Sequence, residues 1–190
     1  MIWIIVPEFF KYNSVLSIPL FSIIALSLIR NIPDFSFSKH TVSKSVIFLN
    51  NHPTQALLFR FNFLLKGLLD IGFVLYLIHF FKLSFNSSLA WCLILSACLF
   101  GSLAYFTEGD YSTIHRIVAY SSGVLWAISE LYLARATGNT FFIQGTNIAS
   151  VVVIILAFGF MFAKKTNAFV QILCMSIWYI WLVLFVFRYL

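Results

Sequence analysis

The sequence predicts an all-α polytopic integral membrane protein, a six-transmembrane-helix bundle folded as a single domain over residues 1–190. Three observations lead there. Hydrophobic residues make up 62% of the chain and charged residues 9%, with a mean hydropathy of +0.98, whereas soluble domains carry roughly a quarter of their residues as charges. Six apolar runs approach the about 20 residues that an α-helix needs to cross roughly 30 Å of hydrocarbon. All but one of the polar segments between these runs are short, so consecutive helices pack as antiparallel neighbours.

In chain order the runs extend from Ser14 to Ile29, Arg60 to Phe81, Ser88 to Phe106, Ser112 to Ala134, Thr146 to Ala163 and Ala168 to Tyr189. The first is short, and Pro19 falls in its opening turn, where a missing N–H is tolerated. Ahead of it, "MIWIIVPEFFKYN" has a six-residue apolar head before Pro7 and no basic start. That is too short for a signal-peptide core, and the segment reads as an interfacial lead-in with Trp3 and Tyr12 at headgroup depth. Residues 31–59 form the extramembrane loop between the first two helices, while "KLSFNS", "TEGDY", "RATGNTFFIQG" and "KKTN" mark tight connections. Cys92, Cys98 and Cys174 sit singly inside apolar runs and read as small packing residues.

The net charge of +6 does not indicate a nucleic-acid partner, because the basic residues are scattered at the ends of apolar runs. The bilayer and its anionic headgroups account for them. The face of the first, third and fifth connections holds Arg30, Lys39, Lys44, Arg60, Arg116, Lys164 and Lys165, against Lys11, Lys82, Arg135 and Arg188 opposite. This count favours a cytoplasmic first loop.

Ionisable residues at membrane depth are the candidates for function, since each costs at least about 2.5 kcal/mol to insert. On the second helix Asn62, Lys66 and Asp70 recur every four residues along one face. Either Lys66 and Asp70 form a buried pair that locks this helix to a neighbour, or Asp70, near mid-helix, serves a relay or ligand site while Lys66 snorkels to the first-loop face. On the fourth helix His115, Ala119, Ser122, Trp126 and Glu130 form an inward polar stripe. An ion pair between Glu130 and Arg135 at the helix end is the simpler reading of that acid. The third helix offers small residues, Ser96, Ala97, Gly101, Ser102 and Ala104, for close approach of backbones.

The stretch "YFTEGDYSTIHRIVAYSSG" gathers Glu108, Asp110, His115 and Arg116 at one turn. Gly109 permits the bend, and Asp110 or Ser112 is placed to cap the helix that follows. The cluster suits a proton-responsive or headgroup-binding site as well as plain capping. A haem shared by His79 and His115 is excluded by topology, because the two end on opposite faces. His40 and His52 share a face with His115, but no metal-ligand spacing joins them, and neither a metal nor a cofactor is expected.

The length, the long first loop, the helix "FNFLLKGLLDIGFVLYL" and the short acidic turn before "HRIVAY" resemble the DUF998 family and its relatives in the Frag1/DRAM/Sfk1 group. The resemblance covers most of the chain, with Gly109, Asp110, His115 and Ala119 at the motif positions; "FTEGD" replaces the "FP" pair common before the acid. It implies a bacterial inner-membrane location, with the N-terminus in the cytoplasm and the histidine turn outside. The charge count points the other way, and the orientation stays open between them.

Three functional classes fit. A binding or transport module would place a lipid headgroup, small solute or proton in a polar cleft between the second and fourth helices, lined by Asp70, Lys66, His115, Arg116, Ser122 and Glu130 with Glu108 and Asp110 at its mouth. A structural subunit would use the same residues to pack against a membrane-protein partner or a second copy. A lipid-modifying enzyme would use His115 as acid or base, but no nucleophile is identifiable. A continuous cleft from His115 to Asp70 separates the first class from the second.

Overall fold

The computed structural model describes residues 6–30, 32–49, 51–162 and 167–190. Trp3, Lys164 and Lys165, and the expected end of the fifth span at Ala163, lie outside the described residues. A 3₁₀ turn over Glu8–Tyr12 leads into α1 (Asn13–Ile29). There follow the single-turn α2 (Ser45–Phe48), α3 (Pro53–Phe80), α4 (Ser88–Ser102), α5 (Ser112–Ala136), α6 (Thr140–Phe162) and α7 (Ala168–Tyr189). The described residues contain no strand.

Five segments are long and apolar enough to cross a membrane: Glu8–Ile29, Pro53–Phe80, Ser112–Ala136, Thr140–Gly159 and Ala168–Tyr189. The architecture is that of an all-α, multi-pass membrane protein. The remaining apolar helix, α4, was expected to reach Phe106 but ends at Ser102 after 15 residues, about 22 Å. Its end tightens into i→i−3 bonding, with the N–H groups of Leu103, Ala104 and Tyr105 donating to Phe100, Gly101 and Ser102.

Three other boundaries differ from the sequence expectation, each for a local reason. α3 starts seven residues before Arg60 because Pro53 occupies the first helical position, where its missing N–H costs nothing. The first loop therefore ends at His52. α6 starts at Thr140 rather than Thr146: Gly138 adopts a left-handed φ of 67° to end α5, and Asn139 Oδ1 immediately accepts the Phe142 N–H at 2.9 Å. Pro19 is the seventh residue of α1, well inside the helix; even counted from the expected start at Ser14 it falls in the second turn rather than the first.

α3 is the central element, packed most extensively against α4 and α1, while α4 packs in turn on α5. At the α3–α4 crossing, a Cβ on Gly67 would lie 2.6 Å from the Gly101 Cα, so two backbones meet with no side chain between them. Ser96 Oγ donates to the Ser122 carbonyl and Ser122 Oγ to the Ser96 carbonyl, both at 2.9 Å, pinning α4 to α5. α6 and α7 are joined by stacked rings, Phe142 with Trp181 at 5.6 Å and Trp181 with Phe185 at 5.0 Å.

The first loop folds back over one end of the bundle. The His40 carbonyl accepts the Ala168 N–H at 2.7 Å, and the Val42 N–H donates to Gln171 Oε1 at 2.7 Å. Thr41 Oγ1 donates to Glu108. These bonds set the starts of α5 and α7 on the same side as the first loop, as the alternation of helices requires.

Candidate functional site

Between α1, α3, α5, α6 and α7 lies a cavity of about 1010 Å³. Its α5 wall runs from His115 to Leu131, about 24 Å along the helix. The lining is mostly apolar, with polar groups set into it from every side. Of the eight residues singled out in the sequence, Lys66, Asp70, Glu108, His115, Arg116 and Ser122 line it, while Asp110 and Glu130 do not.

At the first-loop end, His115 is 4% exposed and its Nδ1 lies 2.6 Å from the Phe106 carbonyl oxygen. A carbonyl can only accept, so Nδ1 carries the proton and the imidazole is held with its Nε2 edge turned away from this bond. Arg116, on the next residue, is exposed at the rim and makes no ion pair among the described residues. The two acids of the turn do not serve the histidine. Glu108 accepts from Thr41, and Asp110 accepts from Thr107 at 3.1 Å and faces Arg60 at 3.6 Å. Nor do Asp110 or Ser112 cap α5: its N-cap is Tyr111, with no side-chain bond. A second cavity of about 10 Å³, room for one water, separates Arg60, Glu108 and His115.

Deeper in the bundle, the Asn62, Lys66 and Asp70 face of α3 is turned to α1. Asp70 Oδ1 accepts from Ser14 at 2.8 Å and Ser17 at 2.7 Å, and Oδ2 pairs with the Lys66 ammonium. Asn62 donates to the Phe21 carbonyl at 2.8 Å. Lys66 does not snorkel. With α3 starting at Pro53 it lies about 20 Å from the helix start, is 9% exposed, and rests over the Phe100 ring at 4.4 Å. The buried pair is thus a structural tie with its partners filled, at the wall of the cavity.

The stripe on α5 divides. Ser122 is committed to α4, and Trp126 turns its indole N–H away to Glu130 Oε1 at 2.7 Å. Glu130 is 2% exposed and forms no ion pair with Arg135, because its carboxylate points back up the helix behind Trp126. His79 is exposed at the far end of α3, on the face opposite His115. Among the described residues no three His, Cys, Asp or Glu side chains gather as a metal set, and the three cysteines are free thiols.

Reading the sequence missed Ser14 and Ser17, although two hydroxyls three residues apart on an apolar helix are the natural partners of a mid-membrane carboxylate on the next. It missed Gln171 for want of any pattern around it.

A bundle of apolar helices enclosing a cavity with polar groups on its wall defines the class: a helical, multi-pass membrane protein. Within that class, the family model described as "Protein of unknown function (DUF998)" matches residues 15–188. The chain belongs to the DUF998 family. No curated protein and no solved structure matches it.

Proposed function

We propose that this protein is a small-molecule binding module of a bacterial inner membrane. In this reading its six apolar helices, α4 included, surround a cleft that receives an amphipathic ligand, with a lipid headgroup at His115 and Arg116. The observation that carries the reading is the continuity of one cavity from His115 and Glu108 at the surface to Lys66 and Asp70 inside. The space is a partly open cleft and not a sealed void, so an amphipathic molecule has a way into it.

The polar groups divide the labour. Lys66 and Asp70, saturated by Ser14 and Ser17, hold α1 against α3 and keep the wall in place. The Arg116 guanidinium provides the donors at the mouth, where a phosphate-bearing head lies at the membrane surface, and His115 Nε2, left as an acceptor by the Nδ1–H bond to Phe106, takes a hydroxyl of that head. The volume is at the upper end of the range for drug-sized ligand sites, about 300–1,000 Å³.

The test is titration of the detergent-solubilised protein with dioleoyl phosphatidylglycerol. The Arg116→Gln variant should bind about tenfold more weakly, the loss of one charge-assisted hydrogen bond, and His115→Ala about fivefold more weakly, the loss of a neutral one, both with unchanged helicity. Unchanged binding in both variants would remove the headgroup assignment.

A structural role in a larger assembly is the second reading. It rests on α6, of which only 22% of the apolar span is covered within this chain. Phe141, Ile148 and Ile155 lie exposed along it. Co-purification of a membrane partner or a second copy, lost on substituting Ile148 and Ile155 by alanine, would favour it.

A further inference from the structure

The mouth of the cleft holds one acid and one base that the fold leaves without a counter-ion. It lies between the turn before α5, which carries Glu108, and the first loop, whose Thr41, Val42 and Ser43 form the facing wall. At that turn Arg60 faces Asp110 at 3.6 Å. Glu108 and Arg116 are left over: among the described residues neither enters an ion pair, although both line the cleft. An exposed arginine without a partner is ordinary. A half-buried carboxylate without one is not, because leaving water is unfavourable for a charge that no cation compensates.

Glu108 is held in place rather than neutralised. Thr41 Oγ1 donates to its Oε2, which fixes the carboxylate between the first loop and the turn. Its Oε1 makes no hydrogen bond among the described residues, yet it is not sealed: the buried side-chain atoms left without a partner are Arg60 Nε, Ser150 Oγ and Trp178 Nε1. The same is true of Nε2 on His115, a residue 4% exposed whose Nδ1–H is spent on the Phe106 carbonyl. That nitrogen is an acceptor. Glu108 and His115 also border one common space the size of a water molecule. Two acceptors, one of them charged, thus stand together at the mouth, and Arg116 follows His115 on the helix.

We propose that this mouth reads a zwitterionic phosphate and ammonium head, that of an ethanolamine phospholipid, with Glu108 as the ammonium-binding residue. This rests on the binding reading above and names its ligand class. The phosphate goes to the Arg116 guanidinium. The ammonium, two carbons beyond the phosphate ester oxygen, brings three N–H donors and a full charge to Glu108 Oε1 and His115 Nε2. A primary ammonium is close to a water molecule in size, so acceptors that border one water-sized space are within its reach. A glycerol head has the same phosphate and a hydroxyl for His115 but no charge for Glu108. A choline head has the charge but no N–H. Below the mouth the wall is apolar, with Ile128, Leu131 and Ile154 in it, which suits acyl chains and favours a lipid over its water-soluble head alone.

The experiment is titration of the full-length protein in detergent with dioleoyl phosphatidylethanolamine, phosphatidylglycerol and phosphatidylcholine, and with glycerophosphoethanolamine, the same head without chains. The wild type should bind the ethanolamine lipid about tenfold more tightly than the other two, the worth of one charge-assisted hydrogen bond, and the chainless head far more weakly than any lipid. Glu108→Gln, whose amide oxygen still accepts from Thr41 and keeps the loop in place, should remove the preference for ethanolamine. Equal binding of the ethanolamine and glycerol lipids by the wild type would overturn the Glu108 assignment while leaving the cleft reading intact. So would a preference that survives in Glu108→Gln, or a choline lipid bound as tightly as the ethanolamine one. A chainless head that binds as tightly as the lipid would overturn the lipid as its source. Failure to bind any of the lipids would overturn both readings.

Discussion

The hydroxyl of Ser14 donates to the carboxylate of Asp70 across 2.8 Å, joining the first turn of α1 to the middle of α3. Ser17 adds a second bond to the same oxygen and Lys66 takes the other. Every strong acceptor position of a buried acid is thus met from two helices. Asp70→Asn is expected to lower stability by about 3–5 kcal/mol, because it strands the Lys66 ammonium in a dry environment. Replacing the pair together, Lys66→Met with Asp70→Leu, should cost far less, within about 2 kcal/mol of wild type. Thermal unfolding in detergent distinguishes these; equal losses for the single and double variants would show that the pair's charge is irrelevant to the fold.

The α3–α4 crossing makes an asymmetric prediction. A methyl on Gly67 would run into the Gly101 backbone at 2.6 Å, whereas one on Gly101 would meet Gly67 Cα at an ordinary 3.5 Å. Gly67→Ala should destabilise by about 1–3 kcal/mol through overpacking, and Gly101→Ala by clearly less. Unfolding midpoints in the same detergent rank the two, and the reverse order would refute the crossing.

At the other end of α3, Lys82 takes a left-handed φ of 51°, with its N–H on His79 at 3.2 Å and the Leu83 N–H on Ile78 at 2.9 Å. This closes the helix in the pattern that glycine normally serves. Lys82→Gly should therefore raise stability by about 1 kcal/mol. A lower unfolding midpoint would contradict this.

The clasp of the first loop on α7 is open to proteolysis. Gln171→Leu leaves the Val42 N–H without its acceptor, a loss of about 1–3 kcal/mol confined to the loop. Trypsin should then cut after Lys39 and Lys44 several times faster, while the helical core stays intact on a gel. Wild-type cleavage rates would mean the loop is held by other contacts.

Much of this architecture was legible in the sequence because bilayer thickness imposes a length on apolar runs, and the faces of α3 and α5 follow from helical spacing. The ends of helices were less so. Pro53 and Asn139 extended α3 and α6 into segments that hydropathy alone reads as loop, and i→i−3 bonding cut α4 short at Ser102. Within the site, spacing identified Lys66, Asp70, His115 and Ser122 as inward residues. It could not say which were already satisfied, since that depends on Ser14, Ser17, Ser96 and Phe106 on other elements. Glu130 shows the opposite failure: its nearest basic residue in sequence, Arg135, is not its partner, because Trp126 on the preceding turn reaches it first.

The central claim is that the cavity between α5 and α7 holds an amphipathic molecule, and a density map of the protein in phosphatidylglycerol-containing nanodiscs tests it most directly. The account predicts elongated density running from His115 and Arg116 past Gly123 to the Trp126 wall, with its head at the first-loop end. A bundle in which α5 and α7 close on one another, with side chains filling the space, would contradict it.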